Sequence, residues 1–592
     1  MKMRRIVKAG LLMLCAVMML RVEKAYASET DTNVMVYEYG EVIEKNITTE
    51  IPVAAGTNYK VKVTYTGIDG EGKKLKPVRI YYEEVMYDQC VPNIQPAYKE
   101  DNADDRSGLL YEVTTPGVTD SREFTVAAID DVLTIIVAGD AKLEKIEVTA
   151  EEPKQAGNKP TIYLIGDSLV QTYRSSYYPM TGWGQMLPEF FTKDVNIVNR
   201  AIGGRSTLNF MNQGRLNDVL INVRPGDYVF VTFGHNDGGS VAGRACSVAD
   251  YKRYLKDYYV EGVRQRGGNP VLVTLGNQNI FTKNGEVIQS YPDYVNAMRE
   301  AAGEKDCPLI DLNEKSKAFF KSVYDQYGSQ ALKDIVFNCA RAGIYQNYID
   351  GGGDSTHFQT YGATRLAEFV AEGVKELELP VISEYYVAPV KATAVPGNVG
   401  TVKLDLKKYD KKYLHMDWKA VKGAEFYEIE RASINSEGFV TDFEHLGYSA
   451  EGMFADPENY REAGTNYAYR VYALNAAGRS EKPSAICWDA VDESVLEEFK
   501  GRLERGELGA AVKEEPETMM GEDNEAEGDE KKNASDNGSD DIKDGNEKND
   551  TFGTVMAVVM ILAAILCAAC VFFLVERKKG VKEKTDSVSD DK

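Results

Sequence analysis

An apolar strand runs directly into a polar turn at Thr161-Ile162-Tyr163-Leu164-Ile165-Gly166-Asp167-Ser168-Leu169. The apolar and aromatic side chains of the first five residues predict a strand over 161–165. A serine at the exit of a strand can present its hydroxyl group to solvent. This stretch therefore predicts one strand of a sheet and one candidate nucleophile, Ser168.

The same strand-then-helix pattern recurs over residues 160–378. Further strands are predicted at 194–200, 227–233, 270–275 and 308–312. Helices are predicted at 247–266, 291–303, 314–327 and 361–376. This alternation is typical of a flavodoxin-like, doubly wound parallel sheet with helices on both faces. Ligands of such sheets bind beyond the carboxyl ends of the strands.

Three predicted strand exits carry residues suited to catalysis. Ser168 follows the first strand, Gly203-Gly204 the second, and Gly234-His235-Asn236-Asp237 the third. Further along, Asp354 and His357 share one loop. A histidine can take the proton of a serine hydroxyl, and a neighbouring carboxylate can orient the ring. The chain has only 4 histidines. Because two of them lie in these motifs, the motifs favour a catalytic site.

These blocks resemble, in family order, the serine esterases and lipases called SGNH or GDSL hydrolases. Within that family they are most similar to the rhamnogalacturonan acetylesterase type, a group that deacetylates pectin. The resemblance is carried by four blocks: Gly166-Asp167-Ser168, Gly204, Gly234-His235-Asn236-Asp237 and Asp354-Ser355-Thr356-His357.

The resemblance implies a carboxylic ester hydrolase that needs no cofactor. Ser168 would attack the ester carbonyl, His357 would accept and return its proton, and Asp354 would orient His357. The backbone N–H groups of Ser168 and Gly204 and the side-chain amide of Asn236 would form the oxyanion hole. The α/β-hydrolase elbow is a worse match, because Val170 stands where that motif requires glycine.

Three nearby residues are candidates for substrate binding, each with a structural alternative. Trp183 could stack on a sugar ring or pack in the core. Arg205 could face an acidic sugar such as galacturonate or be structural. His235 could act at the site or support it by hydrogen bonding. No cluster of His, Asp and Glu has metal-ligand spacing, so no metal is expected.

The regions on either side of residues 160–378 are predicted to form β-strands. Residues 28–150 show short alternating strands, which predict a β-sandwich or jelly roll. This N-terminal β-domain could support the catalytic domain or bind carbohydrate. Apolar and polar residues also alternate over residues 385–490, which resemble a fibronectin type III domain.

Both ends of the chain carry segments with a different character. Residues 1–27 have a basic start, an apolar run and small residues before a cleavage position, and they predict a signal peptide. Residues 496–550 are acidic and predict a disordered stalk. Residues 552–575 carry no charge and would span about 36 Å as a helix, which predicts a transmembrane segment. The basic tail at 576–592 then lies in the cytoplasm.

Composition limits the partners. The net charge of −23 argues against nucleic acid, because phosphate binding calls for basic patches. The cysteines of the exported part are odd in number and widely spaced, so they predict single thiols, although a pair within Cys246, Cys307 and Cys339 stays open.

The sequence therefore predicts a surface-anchored enzyme of a Gram-positive bacterium that deacetylates plant polysaccharide. Rhamnogalacturonan or pectin is the first expected substrate and xylan the second. Two alternatives are a lipase or thioesterase of the same superfamily and a non-catalytic, carbohydrate-binding adhesin.

Overall fold

The computed structural model describes residues 34–82, 109–110, 115–241, 243–405, 413–434, 442–456, 466–489 and 497. The predicted signal peptide, the apolar run 552–575, the tail and nearly all of the stalk lie outside these residues. Within the part of the chain that is described, no helix combines the length and apolar character needed to cross a membrane.

The N-terminal region forms two antiparallel four-stranded sheets, in the orders β1-β8-β3-β6 and β2-β7-β4-β5. The strands are β1 Val34–Val42, β2 Asn46–Pro52, β3 Asn58–Gly67, β4 Arg79–Tyr82, β5 Leu109–Leu110, β6 Thr119–Ala127, β7 Val132–Ala138 and β8 Ala141–Ala150. In β3 the side chains of Tyr59, Val61, Val63 and Tyr65 are buried, as the alternating sequence predicts. A β-rich region is confirmed here, while the jelly-roll assignment stays a prediction.

A five-stranded parallel sheet forms the centre of the molecule, in the order β11-β9-β12-β13-β14. Its strands are β9 Thr161–Gly166, β11 Asn196–Asn199, β12 Tyr228–Thr232, β13 Asn269–Val273 and β14 Leu309–Ile310. In chain order this is 2-1-3-4-5, the flavodoxin-like arrangement. Every residue of β12 is buried, because helices cover both faces of the sheet. The predicted fold of this region is confirmed.

The helices of this region connect the strands and pack on both faces. They are α1 Trp183–Met186, α2 Thr207–Asn212, α3 Arg215–Leu220, α4 Val248–Tyr254, α5 Glu261–Arg264, α6 Pro292–Glu304, α7 Leu312–Ala331 and α8 Thr360–Glu376. A π-helical turn, Leu255–Val260, joins α4 and α5 into one continuous segment close to the predicted helix 247–266. A short antiparallel pair, β10 Met180–Thr181 and β15 Phe358–Gln359, lies beside the sheet.

The C-terminal region is also built of antiparallel strands. They are β16 Lys403–Asp405, β17 Leu414–Asp417, β18 Phe426–Ile434, β19 Glu444–Ser449, β20 Met453–Asp456, β21 Asn466–Asn475, β22 Gly478–Arg479 and β23 Cys487–Asp489. One sheet has the order β16-β17-β20, and the other has β19-β18-β21-β22 with β23 also on β21. Its resemblance to fibronectin type III stays a prediction. The four cysteines in the described residues (Cys246, Cys307, Cys339 and Cys487) are free thiols.

Both β-regions are fastened to the central sheet by buried polar contacts. The side chain of Asn217 in α3 accepts from the N–H of Ala127 at 2.8 Å and donates to the carbonyl of Thr125 at 3.0 Å. The guanidinium of Arg266 donates to the carbonyl of Ala128 at 2.9 Å. These bonds satisfy backbone groups at the end of β6 and just after it, and so dock the N-terminal sheets on α3 and on the turn that follows α5.

The C-terminal sheets are held by the carboxylate of Asp334, which lies just after α7. Arg341 donates to it twice, at 2.7 and 2.9 Å, and the N–H of Tyr448 in β19 donates at 3.0 Å. The side chain of Asp334 is 0% exposed and that of Arg341 is 14% exposed. This buried carboxylate is therefore one of the contacts that join the catalytic region to the C-terminal sheets.

Asp334→Ala is expected to lower the free energy of unfolding by about 3–5 kcal/mol, because it leaves Arg341 buried and unpaired. Chemical denaturation of the whole protein measures this. Asp325→Ala is the matched control, since Asp325 pairs with Lys321 on an exposed helix surface and should change little. Equal stability losses in the two variants would show that the Asp334 cluster does not fasten the C-terminal sheet.

Candidate active site

Ser168 lies two residues beyond the end of β9, at the carboxyl edge of the parallel sheet. It is partly exposed, while residues 164–167 and 169–170 around it are buried. Its turn is fixed by two bonds: the N–H of Leu169 donates to the carboxylate of Asp167 at 2.9 Å, and the hydroxyl of Tyr173 donates to the carbonyl of Ser168 at 2.8 Å. The turn therefore presents the hydroxyl of Ser168 to solvent on a rigid base.

Ser168, His357 and Asp354 form one chain of hydrogen bonds. Ser168 Oγ and His357 Nε2 are 2.8 Å apart, and His357 Nδ1 and Asp354 Oδ2 are 2.7 Å apart. The side chains of His357 and Asp354 are 20% and 17% exposed. Residues separated by 189 positions are thus aligned as a nucleophile, a base and an orienting carboxylate.

The loop that carries the base is held on several sides. The second carboxylate oxygen of Asp354, Oδ1, accepts from the N–H groups of Thr356 and His357 at 2.9 and 3.0 Å. The Thr356 hydroxyl accepts from the Gln278 amide at 2.7 Å, and the His357 carbonyl accepts from the N–H of Asn338 at 2.7 Å. These bonds fix the position of His357 before any substrate binds.

The charges of this pair are set by each other. Burial alone would raise the pKa of Asp354, but the His357 side chain and two backbone N–H groups outweigh it and lower this pKa to about 2. Burial alone would lower the pKa of His357, but Asp354, with a smaller contribution from Asp167, outweighs it and raises this pKa. Asp354 is therefore ionised and stabilises the imidazolium form of His357.

Gly204 and Asn236, the candidate oxyanion donors, lie on neighbouring turns that are bonded to each other. The N–H of Gly203 donates to the side chain of Gln171, and the Asn236 amide donates to the carbonyl of Arg205 at 3.0 Å. An amide nitrogen has two N–H groups, and this bond uses one of them. The turn needs glycine at Gly204, whose φ is +74°.

Asp167 and His235 lie behind Ser168, and sequence reasoning gave Asp167 no role. His235 Nδ1 and Asp167 Oδ2 are 3.8 Å apart, in a site where both side chains are less than a tenth exposed. Burial raises the pKa of Asp167 to about 7, and burial together with the charge of His357 lowers that of His235 to about 3. His235 is therefore neutral, and at 3.8 Å its ring packs against Asp167 without a hydrogen bond to it; its predicted supporting role stays a prediction.

The structure places the other two candidates away from solvent. Trp183, the first residue of α1, is 2% exposed and belongs to the hydrophobic core, so its ring is not available to a sugar. Arg205 is 1% exposed, and its guanidinium donates to the carbonyl of Gly203 at 2.8 Å and to the Gln213 side chain at 3.0 Å. The substrate-facing interpretations of Trp183 and Arg205 are corrected here: both residues are structural.

Comparisons with known proteins identify relatives of the central region. Residues 164–333 match the GDSL-like Lipase/Acylhydrolase family. The probable rhamnogalacturonan acetylesterase YesY of Bacillus subtilis is 39% identical over 37% of this chain and 94% of its own length. The rhamnogalacturonan acetylesterase RhgT of the same organism is 36% identical over 37% of this chain and 91% of its own length. The uncharacterized esterase YxiM of B. subtilis is 28% identical over 45% of this chain and 65% of its own length.

The fold and the family together define a carboxylic ester hydrolase with the SGNH hydrolase fold. The chain belongs to the GDSL-like lipase/acylhydrolase family and has rhamnogalacturonan acetylesterase homologues.

Proposed function

We propose that this protein removes acetyl groups from acetylated plant polysaccharide, with rhamnogalacturonan as its first substrate and xylan as its second. The observation that carries the proposal is the continuous hydrogen-bond chain from Ser168 through His357 to Asp354. The names of the relatives YesY and RhgT support the choice of acetyl group and glycan.

The reaction follows from the geometry in two halves. Ser168 Oγ attacks the acetyl carbonyl as His357 Nε2 takes its proton, and the imidazolium then protonates the departing sugar hydroxyl. A water molecule then attacks the acetyl–serine ester. His357 takes a proton from this water and returns it to Ser168 as acetate leaves. Asp354 stabilises the imidazolium in both halves.

The tetrahedral intermediate of each half needs donors for its negative oxygen. We assign this role to the N–H groups of Ser168 and Gly204 and to the side-chain amide of Asn236. The support for this is the turn geometry of Gly204 and the bond that ties Asn236 to the neighbouring residue Arg205.

Asn236→Ala is expected to lower kcat on the order of 10²- to 10³-fold with a smaller change in KM, because the lost donor acts on the transition state. Steady-state hydrolysis of p-nitrophenyl acetate measures both constants. Asn296→Ala, which changes an exposed amide on α6, is the control. A rise in KM at constant kcat would instead make Asn236 a ground-state binding residue.

Acetate release across a panel of substrates tests the function itself. Acetylated rhamnogalacturonan should be turned over fastest, acetylated xylan more slowly, and long-chain acyl esters and acyl thioesters least. Preference for the long-chain esters or thioesters would indicate that the protein is a lipase or a thioesterase. Glycan binding without turnover of any ester would favour the adhesin.

We also propose that the enzyme works at the outer face of the cell membrane. The support is in the sequence: the apolar run before Ala25-Tyr26-Ala27 and the uncharged run 552–575 with its basic flank. Protease treatment of intact cells should remove the esterase activity, and retention of full activity would place the enzyme elsewhere.

A further inference from the structure

Arg244 lies in the loop between β12 and α4, directly against the turn that carries Gly204. A Cβ atom added to Gly204 would be 3.2 Å from Cζ and Nη2 of Arg244 and 3.3 Å from Nη1. A point this far from all three atoms, and almost equally far from each, must lie above the plane of the guanidinium. The flat face of Arg244 therefore covers Gly204, and its N–H groups, which lie in the plane of the guanidinium, do not point at Gly204.

Arg244 differs from several other partly buried arginines of the described chain in having no carboxylate partner. Arg299, Arg341 and Arg431 are each within 3.0 Å of a carboxylate oxygen. Among the residues that the structure describes, no ion pair involves Arg244, which is nevertheless only partly exposed. A cation is thus held beside the candidate oxyanion donor without a carboxylate partner from the protein.

We propose that Arg244 binds the carboxylate of an acidic sugar residue at or next to the acetylated position, and so selects uronate-containing glycans. This proposal rests on the proposed function and deepens it. A guanidinium donates in its own plane and matches a carboxylate with two parallel bonds. Because Gly204 occupies its face, the donors of Arg244 are directed at a neighbouring group on the glycan and not at the oxyanion.

Arg244 thus takes the role that sequence reasoning considered for Arg205. The two arginines contact adjacent residues of the same glycine turn: Arg205 is buried and bonded to the carbonyl of Gly203, while the partly exposed Arg244 lies over Gly204. In a backbone of alternating rhamnose and galacturonate units, a carboxylate lies either on the acetylated residue or on the residue next to it.

Arg244→Gln tests the proposal with one acidic and one neutral substrate. The KM for acetylated rhamnogalacturonan is expected to rise roughly 10- to 100-fold, as for loss of a hydrogen-bonded charge pair, with kcat nearly unchanged. The kcat/KM for p-nitrophenyl acetate, which carries no carboxylate, should change far less than that for the acidic glycan. The KM of the native enzyme for the acidic glycan should also rise with added salt, and that of the variant should not.

Two further variants make the result specific. Arg244→Lys should restore part of the affinity for the acidic glycan, because it keeps the charge but loses the planar pair of donors. Arg253→Gln, which changes an exposed arginine paired with Asp250 on α4, should behave like the native enzyme. A fall in kcat on both substrates would make Arg244 an oxyanion-stabilising residue, and unchanged constants on both would remove it from the site; either result overturns the proposal.

Competition experiments test the carboxylate site at Arg244 independently of whether acetylated rhamnogalacturonan is the substrate. Oligogalacturonate should inhibit hydrolysis of p-nitrophenyl acetate competitively in the native enzyme and at least 10-fold more weakly in Arg244→Gln. If acetylated rhamnogalacturonan is not a substrate but this inhibition holds, the proposed glycan is wrong and the carboxylate site stands. Equal inhibition of both proteins would overturn the carboxylate site whatever the glycan is.

Discussion

Ser168→Ala is expected to lower kcat for acetate release by roughly 10⁴- to 10⁶-fold, the largest loss of any single change in this protein. The variant removes the atom that forms the acyl-enzyme, and the remaining oxyanion donors cannot replace it. The only side-chain bond described for Ser168 is the 2.8 Å contact with His357, so stability should hardly change. Acetate release and thermal unfolding of the same preparation measure both effects.

A neighbouring serine provides the control for this experiment. Ser176 is exposed in the short 3₁₀ helix Ser175–Tyr177, eight residues beyond Ser168, and Ser176→Ala should keep native activity. Incubation with an irreversible serine-directed phosphonate should label the native protein and Ser176→Ala, but not Ser168→Ala. Activity above about one per cent in Ser168→Ala would mean that another group attacks the ester.

The central fold could be read from the sequence because its signals are local. Each parallel strand is a short apolar run between helical segments, and burial on both faces leaves little room for a different register. The predicted strand 227–233 and the observed β12 Tyr228–Thr232 differ by one residue at each end. The order 2-1-3-4-5 then brings the exits of the first three strands to neighbouring positions, as predicted.

The site was only partly predictable for a physical reason. The sequence motifs identify Ser168, Asp354 and His357, because the proton transfers of this mechanism require a nucleophile, a base and a carboxylate, and few residue types can fill each role. Burial is different, since it depends on contacts between distant segments. Sequence analysis proposed Arg205 for an acidic sugar and assigned no role to Arg244, and only the three-dimensional packing distinguishes the buried arginine from the partly exposed one.

The boundary between the catalytic and C-terminal regions shows the same limit. Composition places it between residues 378 and 385, which suggests two separate domains. The structure packs Ala340 and Tyr345, which precede the Asp354 loop, into one hydrophobic core with Trp418 and Met416 of the C-terminal region. The segment leading to the catalytic loop is therefore supported by the C-terminal sheets, a long-range relationship that no local pattern records.

Asp354→Asn is expected to give the second large effect, a fall in kcat on the order of 10²- to 10⁴-fold. The amide keeps the size of the side chain but cannot accept in the same way from His357 Nδ1, so the ring loses its fixed tautomer and the charge that stabilises imidazolium. Hydrolysis of p-nitrophenyl acetate between pH 4 and 9 measures the loss. Asp350→Asn, an exposed carboxylate on the same loop, is the matched control and should keep native activity.

The pH profile of the same variant tests the cause of the loss. His357 must be neutral to accept the proton of Ser168, so activity is lost as pH falls through the pKa of His357. Asp354 raises this pKa above its ordinary value, which puts the acid limb of the native profile at a higher pH than an isolated histidine would give. Removing the charge of Asp354 should move the limb to lower pH, although Asp167 keeps a small raising influence. A limb that stays in place while kcat falls would show that Asp354 acts by orienting the ring alone, whereas a shift to lower pH shows that its charge contributes to catalysis.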